Sequence, residues 1–146
     1  MGRGFHQVVF EMGDGSINHI GIATPSLDDF TPIWEALGFT AEDDQLVKEQ
    51  GVRIRYMKGE GDARVELLEP LSEDSHIGRF LASRGPGVQQ IAVNVSDIEK
   101  KIDELRSMGV RMINNEPVTG LDGQSIAFVH PSSSGGVLIE LVQFTM

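Results

Sequence analysis

The sequence predicts an α+β fold made of two duplicated βαβββ modules, and three signs of internal repetition predict it. A polar residue opens each half at the start of a strand pattern, His19 in the first and Gln90 in the second. A glycine follows that polar residue at the same interval in both halves. Each half also closes on an apolar strand pattern that a glutamate interrupts, Glu66 and Glu140, at nearly the same offset as the two opening residues.

The first module, at about residues 17–70, opens with a strand and a capped helix. Ser26 and Asp29 have capping-box spacing, so a helix is predicted from there to about Leu37. Pro32 falls inside that span and has no backbone N–H, so the helix is expected to kink or to restart with the proline in its first turn. Alternating patterns predict strands at 17–24, near 51–57 and at 63–69.

The second module, at about residues 88–143, follows a linker (71–87) that contains a short helix capped by Ser75. Its opening strand is QQIAVNV, and Ser96 and Glu99 form a capping box for a helix that runs to Met108. Three further strands are expected near 110–114, 124–129 and 137–143. Residues 1–16 form an N-terminal extension, in which QVVF at 7–10 is either a short extra strand or disordered.

Composition limits the classes of protein. The chain has 146 residues, 40% of them hydrophobic, which is enough for one compact domain, at 17–146. Its formal net charge of −10 repels polyanions, so a nucleic-acid partner is not expected. No apolar run approaches the ~20 residues that span a bilayer, and the N-terminus lacks the apolar stretch of a signal peptide. The absence of cysteine fits a reducing cytoplasm.

Pairing of equivalent strands would bring four polar side chains to one centre. One imidazole, one amide oxygen and two carboxylates suit a divalent ion such as Co, Mn, Ni or Zn. Open coordination positions would let the ion hold a bidentate substrate and stabilise the enolate formed on proton loss, with a glutamate as general base. The candidate metal ligands are His19, Glu66, Gln90 and Glu140.

Each of these residues also has an ordinary structural interpretation. A strand-end histidine, a polar strand glutamine and solvated glutamates are common, but their repetition at equivalent places favours a shared site. Gly21 and Ala23 are small and lie on the same strand face as His19, which leaves room there for a ligand. His130 precedes a proline and is interpreted as a turn residue that could also line a pocket. Phosphate contact and a solvated strand edge remain equally open for four basic residues: Arg53, Arg55, Lys58 and Arg64.

Several motifs, in this order and spacing, resemble those of methylmalonyl-CoA epimerases. They are NHIGIA at 18–23, VELLEP with SEDSHIGRFLASRG at 65–85, NEPVTG at 115–120 and FVHPSSSGGVLIEL at 128–141. The resemblance covers about residues 17–143. These enzymes belong to the vicinal-oxygen-chelate superfamily, with glyoxalase I and the extradiol dioxygenases. The resemblance implies paired βαβββ modules that form a cupped mixed or antiparallel sheet around a metal site, with the helices outside.

The resemblance also implies a reaction, a ligand set and a partner. The reaction is the interconversion of (2R)- and (2S)-methylmalonyl-CoA through a metal-bound enolate, with an acyl-CoA thioester as partner and a homodimer as assembly. By position, His19, Glu66 and Glu140 match family ligands, and Glu140 is the expected catalytic base. The sequence departs from the family at Gln90, because a His-His pair usually stands where this chain has Gln-Gln. Ser132 replaces the family's lysine.

Two alternatives to an epimerase remain. A glyoxalase I-like lyase would use the same kind of centre with proton transfer at carbon, and turnover of a hemithioacetal would distinguish it. A non-catalytic ligand-binding member of the superfamily is the other, and the glutamine at position 90 keeps it open. An extradiol dioxygenase is disfavoured, because its iron site needs two histidines and one carboxylate.

Overall fold

Strands and three α-helices alternate along residues 14–120 and 123–144, which are the residues that this computed structural model describes. The helices are α1 (Leu27–Ala36), α2 (His76–Arg84) and α3 (Ile98–Ser107). The strands are β1 (Ser16–Ala23), β2 (Thr40–Ala41), β3 (Gln45–Val47), β4 (Val52–Lys58), β5 (Arg64–Pro70), β6 (Gly87–Asn94), β7 (Val118–Thr119), β8 (Ser125–Val129) and β9 (Leu138–Gln143). The predicted α+β class is confirmed. The segment 7–10 lies outside the described residues.

The chain divides into two compact units. The first unit is His19–Gln90, and the second unit combines Met1–Asn18 with Ile91–Met146. Within the described residues, no helix is long and apolar enough to cross a membrane.

In the first unit the sheet is mixed. Its order is β2-β4-β5-β1, and β3 also pairs with β4. β1 runs parallel to β5, with His19 opposite Arg64, whereas β4 is antiparallel to β5, with Tyr56 opposite Glu66. Each face of this sheet buries an apolar cluster. One includes Tyr56, Leu68 and residues of α2, and the other includes Met57, Leu67 and residues of α1.

The second unit contains β6 from Ile91 onward and arranges its strands in the order β6-β9-β8-β7. β9 and β8 are antiparallel, with Glu140 opposite Phe128. Its core joins Ile98 and Ile102 of α3 to Ala127 of β8 and Leu141 of β9. This arrangement buries the apolar side of α3 against β8 and β9, and β9 carries Glu140.

The two units repeat the same backbone contacts, which supports the duplication predicted from the sequence. The Thr24 N–H donates to the Leu68 carbonyl at 2.9 Å, and the Val95 N–H donates to the Val142 carbonyl at 2.9 Å. Thr24 and Val95 are separated by the same number of residues as His19 and Gln90, which open the two halves. The two acceptors have the same offset as the two glutamates, so the contacts follow the sequence repeat.

Helix α1 begins as predicted but does not restart. The Ser26 hydroxyl accepts the Asp29 N–H at 3.1 Å, and the helix continues through Pro32 to Ala36. The proline deprives only the Asp28 carbonyl of its helical partner. Because Asp28 is exposed, water can solvate that carbonyl, and one uninterrupted helix forms.

Two local predictions for the second module were wrong. The cap of α3 is Asp97 rather than Ser96, and its carboxylate accepts the Lys100 N–H at 3.1 Å. Asp97 adds a negative charge at the positive end of the helix dipole, which a serine cannot. The predicted strand at 110–114 is reduced to a single bridge at Met112, because the Asn114 side chain accepts the β8 N–H that a strand carbonyl would otherwise take.

Candidate metal centre

The first unit holds a buried histidine–carboxylate pair. His19 Nδ1 lies 3.2 Å from Glu66 Oε2, and both side chains are almost completely buried. The parallel pairing of β1 with β5 carries the two residues on neighbouring strands. With its Nδ1–H donated to the carboxylate, the imidazole presents a lone pair at Nε2, which is the usual arrangement of a metal-binding histidine.

Gln90 meets that second ring nitrogen. Its Nε2 lies 3.1 Å from His19 Nε2. Rotation of the amide by half a turn would put its oxygen at the same position, because the two ends of a carboxamide have nearly the same shape. The contact is a hydrogen bond as it stands, and its length also equals the separation of about 3 Å between two atoms that bind one metal at about 2.1 Å.

A glycine makes room for Gln90. A Cβ atom at Gly21 would lie 2.7 Å from Gln90 Cγ, closer than real carbon atoms approach. Gly21 therefore makes room for the Gln90 side chain. No sequence pattern marked this contact, because the two residues belong to different strands. Room for a ligand beside the small residues near His19 stays a prediction.

Arg64 lies beside the histidine–carboxylate pair. Its Nη2 is 3.8 Å from Glu66 Oε2, and its guanidinium stacks on the Tyr56 ring at 4.7 Å from the ring centre. Arg55, by contrast, is bound by Asp44 and Asp28 in ion pairs of 2.7 and 2.9 Å, which gives it a structural role. The other two basic residues singled out in the sequence, Arg53 and Lys58, are exposed.

The fourth candidate, Glu140, lies on β9 of the second unit. It is 8% exposed and therefore buried, as is Glu66 at 5%. The alternative interpretation of these glutamates as solvated strand residues is thus wrong for both. The two stand at equivalent places in the sequence repeat, each on the closing strand of its half.

His130 has a structural role in the second unit. Its Nδ1 accepts the Ser132 N–H at 3.0 Å and so caps the short 3₁₀ turn Pro131–Ser133. The interpretation of His130 as a turn residue is confirmed by this contact.

The donor chemistry fits a divalent ion. The first unit contributes a nitrogen from His19, a carboxylate from Glu66 and an amide from Gln90, and the second unit buries a further carboxylate, Glu140. Among residues 14–120 and 123–144, no three His, Cys, Asp or Glu side chains form a metal-binding group by themselves. The Gln90 amide, which meets His19, is a further polar group of the first unit.

Comparisons with known proteins identify the family of this chain. Residues 18–128 match the model of the glyoxalase/bleomycin resistance protein/dioxygenase superfamily. Mitochondrial methylmalonyl-CoA epimerase of Dictyostelium discoideum is 33% identical over 137 residues, which cover 92% of this chain and 81% of that protein.

Two solved structures are also similar. Methylmalonyl-CoA epimerase from Mycobacterium tuberculosis superimposes with a TM-score of 0.81 at 37% identity, over 91% of this chain and 90% of that one. A variant of Streptomyces coelicolor methylmalonyl-CoA epimerase, in complex with 2-nitronate-propionyl-CoA, has a TM-score of 0.81 at 37% identity, over 92% of this chain and all of that one. The chain belongs to the glyoxalase/bleomycin resistance protein/dioxygenase superfamily and, within it, to the methylmalonyl-CoA epimerase family.

Proposed function

We propose that this protein is an epimerase that interconverts (2R)- and (2S)-methylmalonyl-CoA by removing and returning the proton at C2. The buried His19–Glu66 pair, with Gln90 at the open ring nitrogen, is the observation that supports it best. The similarity to methylmalonyl-CoA epimerases over nine-tenths of the chain supports the same substrate. The C2 proton of such a thioester is acidic because two carbonyl groups flank that carbon.

We propose that His19, Glu66, Gln90 and Glu140 would hold a divalent ion, of which Co, Mn, Ni and Zn suit these donors. The ion would supply a Lewis acid that stabilises negative charge on the thioester oxygen. The contact of Glu66 with His19 Nδ1 fixes the orientation of the ring. Because the two ring nitrogens lie on different edges of the imidazole, Glu66 would have to give up this contact to bind the same ion as His19 Nε2. Gln90 would turn its amide oxygen toward the ion.

Glu140 is the proposed acid/base group. A carboxylate oxygen can accept the C2 proton and return it, and exchange of that carboxyl proton with solvent would let deuterium enter at C2 in D₂O. Epimerisation requires the proton to return on the opposite face of C2. The intermediate must therefore rotate, or a second acid/base group must act from the other side.

The test is deuterium uptake at C2 of methylmalonyl-CoA in D₂O, followed by NMR with metal-stripped and cobalt-loaded protein. We expect exchange that depends on the metal and is lost in Glu140→Gln. The matched control is Glu116→Gln, which makes the same change at an exposed position and should keep full exchange. Metal-independent exchange, or exchange retained in Glu140→Gln, would overturn the assignment of these roles.

The same samples separate the alternatives. Folded, cobalt-loaded protein that leaves methylmalonyl-CoA unexchanged but converts the hemithioacetal of glutathione and methylglyoxal would be a glyoxalase I-like lyase. Protein that binds the thioester and exchanges nothing would be a ligand-binding member of the superfamily. We also propose a cytoplasmic homodimer, which light scattering and cell fractionation would test.

A further inference from the structure

Arg64 stands on the same sheet face as the candidate site and is the cation that contacts it. Arg64 and Glu66 are two residues apart on β5, so their side chains leave the sheet on the same side. Arg64 is also the register partner of His19 on β1. The guanidinium therefore lies next to the histidine–carboxylate pair, with Nη2 at 3.8 Å from Glu66 Oε2.

The Tyr56 ring orients this guanidinium. The Arg64 side chain stacks on the ring at 4.7 Å, and Tyr56 itself is buried in the apolar cluster of that face. A guanidinium placed over an aromatic ring can still donate all of its N–H groups, because the ring offers no hydrogen-bond acceptor in their plane. The Arg64 side chain is 27% exposed, so those N–H groups are accessible to a ligand. A cation held in this way loses little further conformational freedom when it binds an anion.

The negative charge of the chain makes a cation at this place favourable for binding an anionic substrate. The formal net charge is −10, and the candidate site itself contains buried carboxylates. A substrate with a free carboxylate is repelled by both, and a nearby guanidinium offsets this repulsion. Arginine also matches a carboxylate in shape, because two parallel N–H groups can donate to its two oxygens.

We propose that Arg64 binds the free carboxylate of a 2-carboxyacyl thioester and thereby selects it over thioesters with an uncharged acyl chain. The proposal rests on the proposed function, since it names a specificity residue for that site. Arg64 would donate to both carboxylate oxygens and hold the acyl group in one orientation, so that C2 is presented to the acid/base group.

The CoA phosphates are the other anions that Arg64 could meet, and truncated thioesters separate the two. The experiment compares wild type with Arg64→Gln on methylmalonyl-CoA, methylmalonyl-pantetheine and propionyl-CoA, using calorimetric binding and C2 exchange. We expect Arg64→Gln to weaken binding of both methylmalonyl thioesters on the order of 10- to 100-fold. Binding of propionyl-CoA, which has no free carboxylate, should be unchanged.

Two further variants complete the design. Arg53→Gln removes the same charge from an exposed position of β4 that is not paired with β1, and should leave all three ligands unaffected. Arg64→Lys keeps the charge but not the fork of donors, and should restore part of the lost affinity. Equal weakening of both CoA thioesters, with methylmalonyl-pantetheine unaffected, would assign Arg64 to a phosphate and overturn the proposal.

Failure of the proposed function would look different. Wild-type protein that shows no exchange at C2, but whose preference for methylmalonyl thioesters over propionyl-CoA is lost in Arg64→Gln, would refute the epimerase and still support the role of Arg64. Exchange at C2 by the wild type, with no difference in binding between Arg64→Gln and wild type, would support the epimerase and refute the role of Arg64.

Discussion

The backbone N–H of Leu27 donates to the Glu69 carboxylate at 2.9 Å, so the end of β5 caps the first turn of α1. The second unit repeats this contact between Ile98 and the Gln143 side-chain oxygen, at 2.7 Å. Donors and acceptors again stand at equivalent places in the sequence repeat. Each helix is thus fastened to the strand that carries the candidate glutamate of its unit, which is β5 in the first and β9 in the second.

This cap should differ in strength between the two units. Glu69 brings a negative charge to a helix N-terminus, where it interacts favourably with the helix dipole, while Gln143 brings only a neutral oxygen. We expect Glu69→Ala to lower the free energy of unfolding by about 1–2 kcal/mol and Gln143→Ala by about 1 kcal/mol. Urea unfolding at low and high salt measures both values.

Salt distinguishes the two contributions. Screening should reduce the cost of Glu69→Ala and leave that of Gln143→Ala unchanged. Glu69→Gln serves as the intermediate variant, because it keeps an oxygen acceptor and removes the charge. A cost for Glu69→Ala that salt does not alter would show that the charge contributes nothing to the cap.

The ion pair between Asp44 and Arg55 should make stability depend on pH. The hydrogen bond from Arg55 holds the pKa of Asp44 below its ordinary value of 3.8. A folded-state pKa that lies below the unfolded one adds stability above pH 3.8, and this contribution disappears as the pH falls through the folded pKa. At pH 7, we expect Asp44→Asn to cost about 1 kcal/mol, since both side chains are partly exposed.

The measurement is the free energy of unfolding of wild type and Asp44→Asn from pH 7 down to pH 2. The difference between them should shrink below pH 4 and vanish once Asp44 is protonated in the folded state. Asp43→Asn makes the same substitution at the exposed neighbouring position and should show no such dependence. A difference that stays constant across this pH range would contradict the role of the ion pair.

Much of the fold could be predicted because it depends on local patterns that occur twice. Serine caps and glycine stops mark α1, and Ser75 accepts the Gly78 N–H at the start of α2, as its position predicted. Errors arose where two neighbouring residues could do the same work, as with Ser96 and Asp97. They also arose where a side chain replaced a backbone carbonyl, as Asn114 does beside β8.

The candidate site was only partly predictable for a related reason. Repetition pointed to His19, Glu66, Gln90 and Glu140, and the structure brings the first three together in one unit, while Glu140 lies on β9 of the other. The stacking of Arg64 on Tyr56 could not be read from the sequence, since it depends on the register between β4 and β5. Register is a tertiary property, and a single sequence contains no direct record of it.

Gly21 should control the position of Gln90. Its strand backbone would accept alanine, but the added Cβ would meet Gln90 Cγ at 2.7 Å and the end of Leu68 at 3.2 Å. The Gln90 side chain must then move away from His19. We expect Gly21→Ala to cost about 1–3 kcal/mol in unfolding free energy, the usual range for overpacking. It should also weaken cobalt binding, if Gln90 is a ligand.

A double-mutant cycle shows whether Gln90 is the cause. In a Gln90→Ala background the added methyl group loses its closest contact and keeps the one with Leu68 at 3.2 Å, so the stability cost of Gly21→Ala should fall by at least half, an interaction of about 1 kcal/mol. Gly61→Ala is the control, because a Cβ there meets no atom within 4 Å. Equal costs of Gly21→Ala in both backgrounds would mean that the glycine makes room for something other than Gln90. In that case the contact between Gln90 and His19 would not depend on the close approach of Gln90 to Gly21.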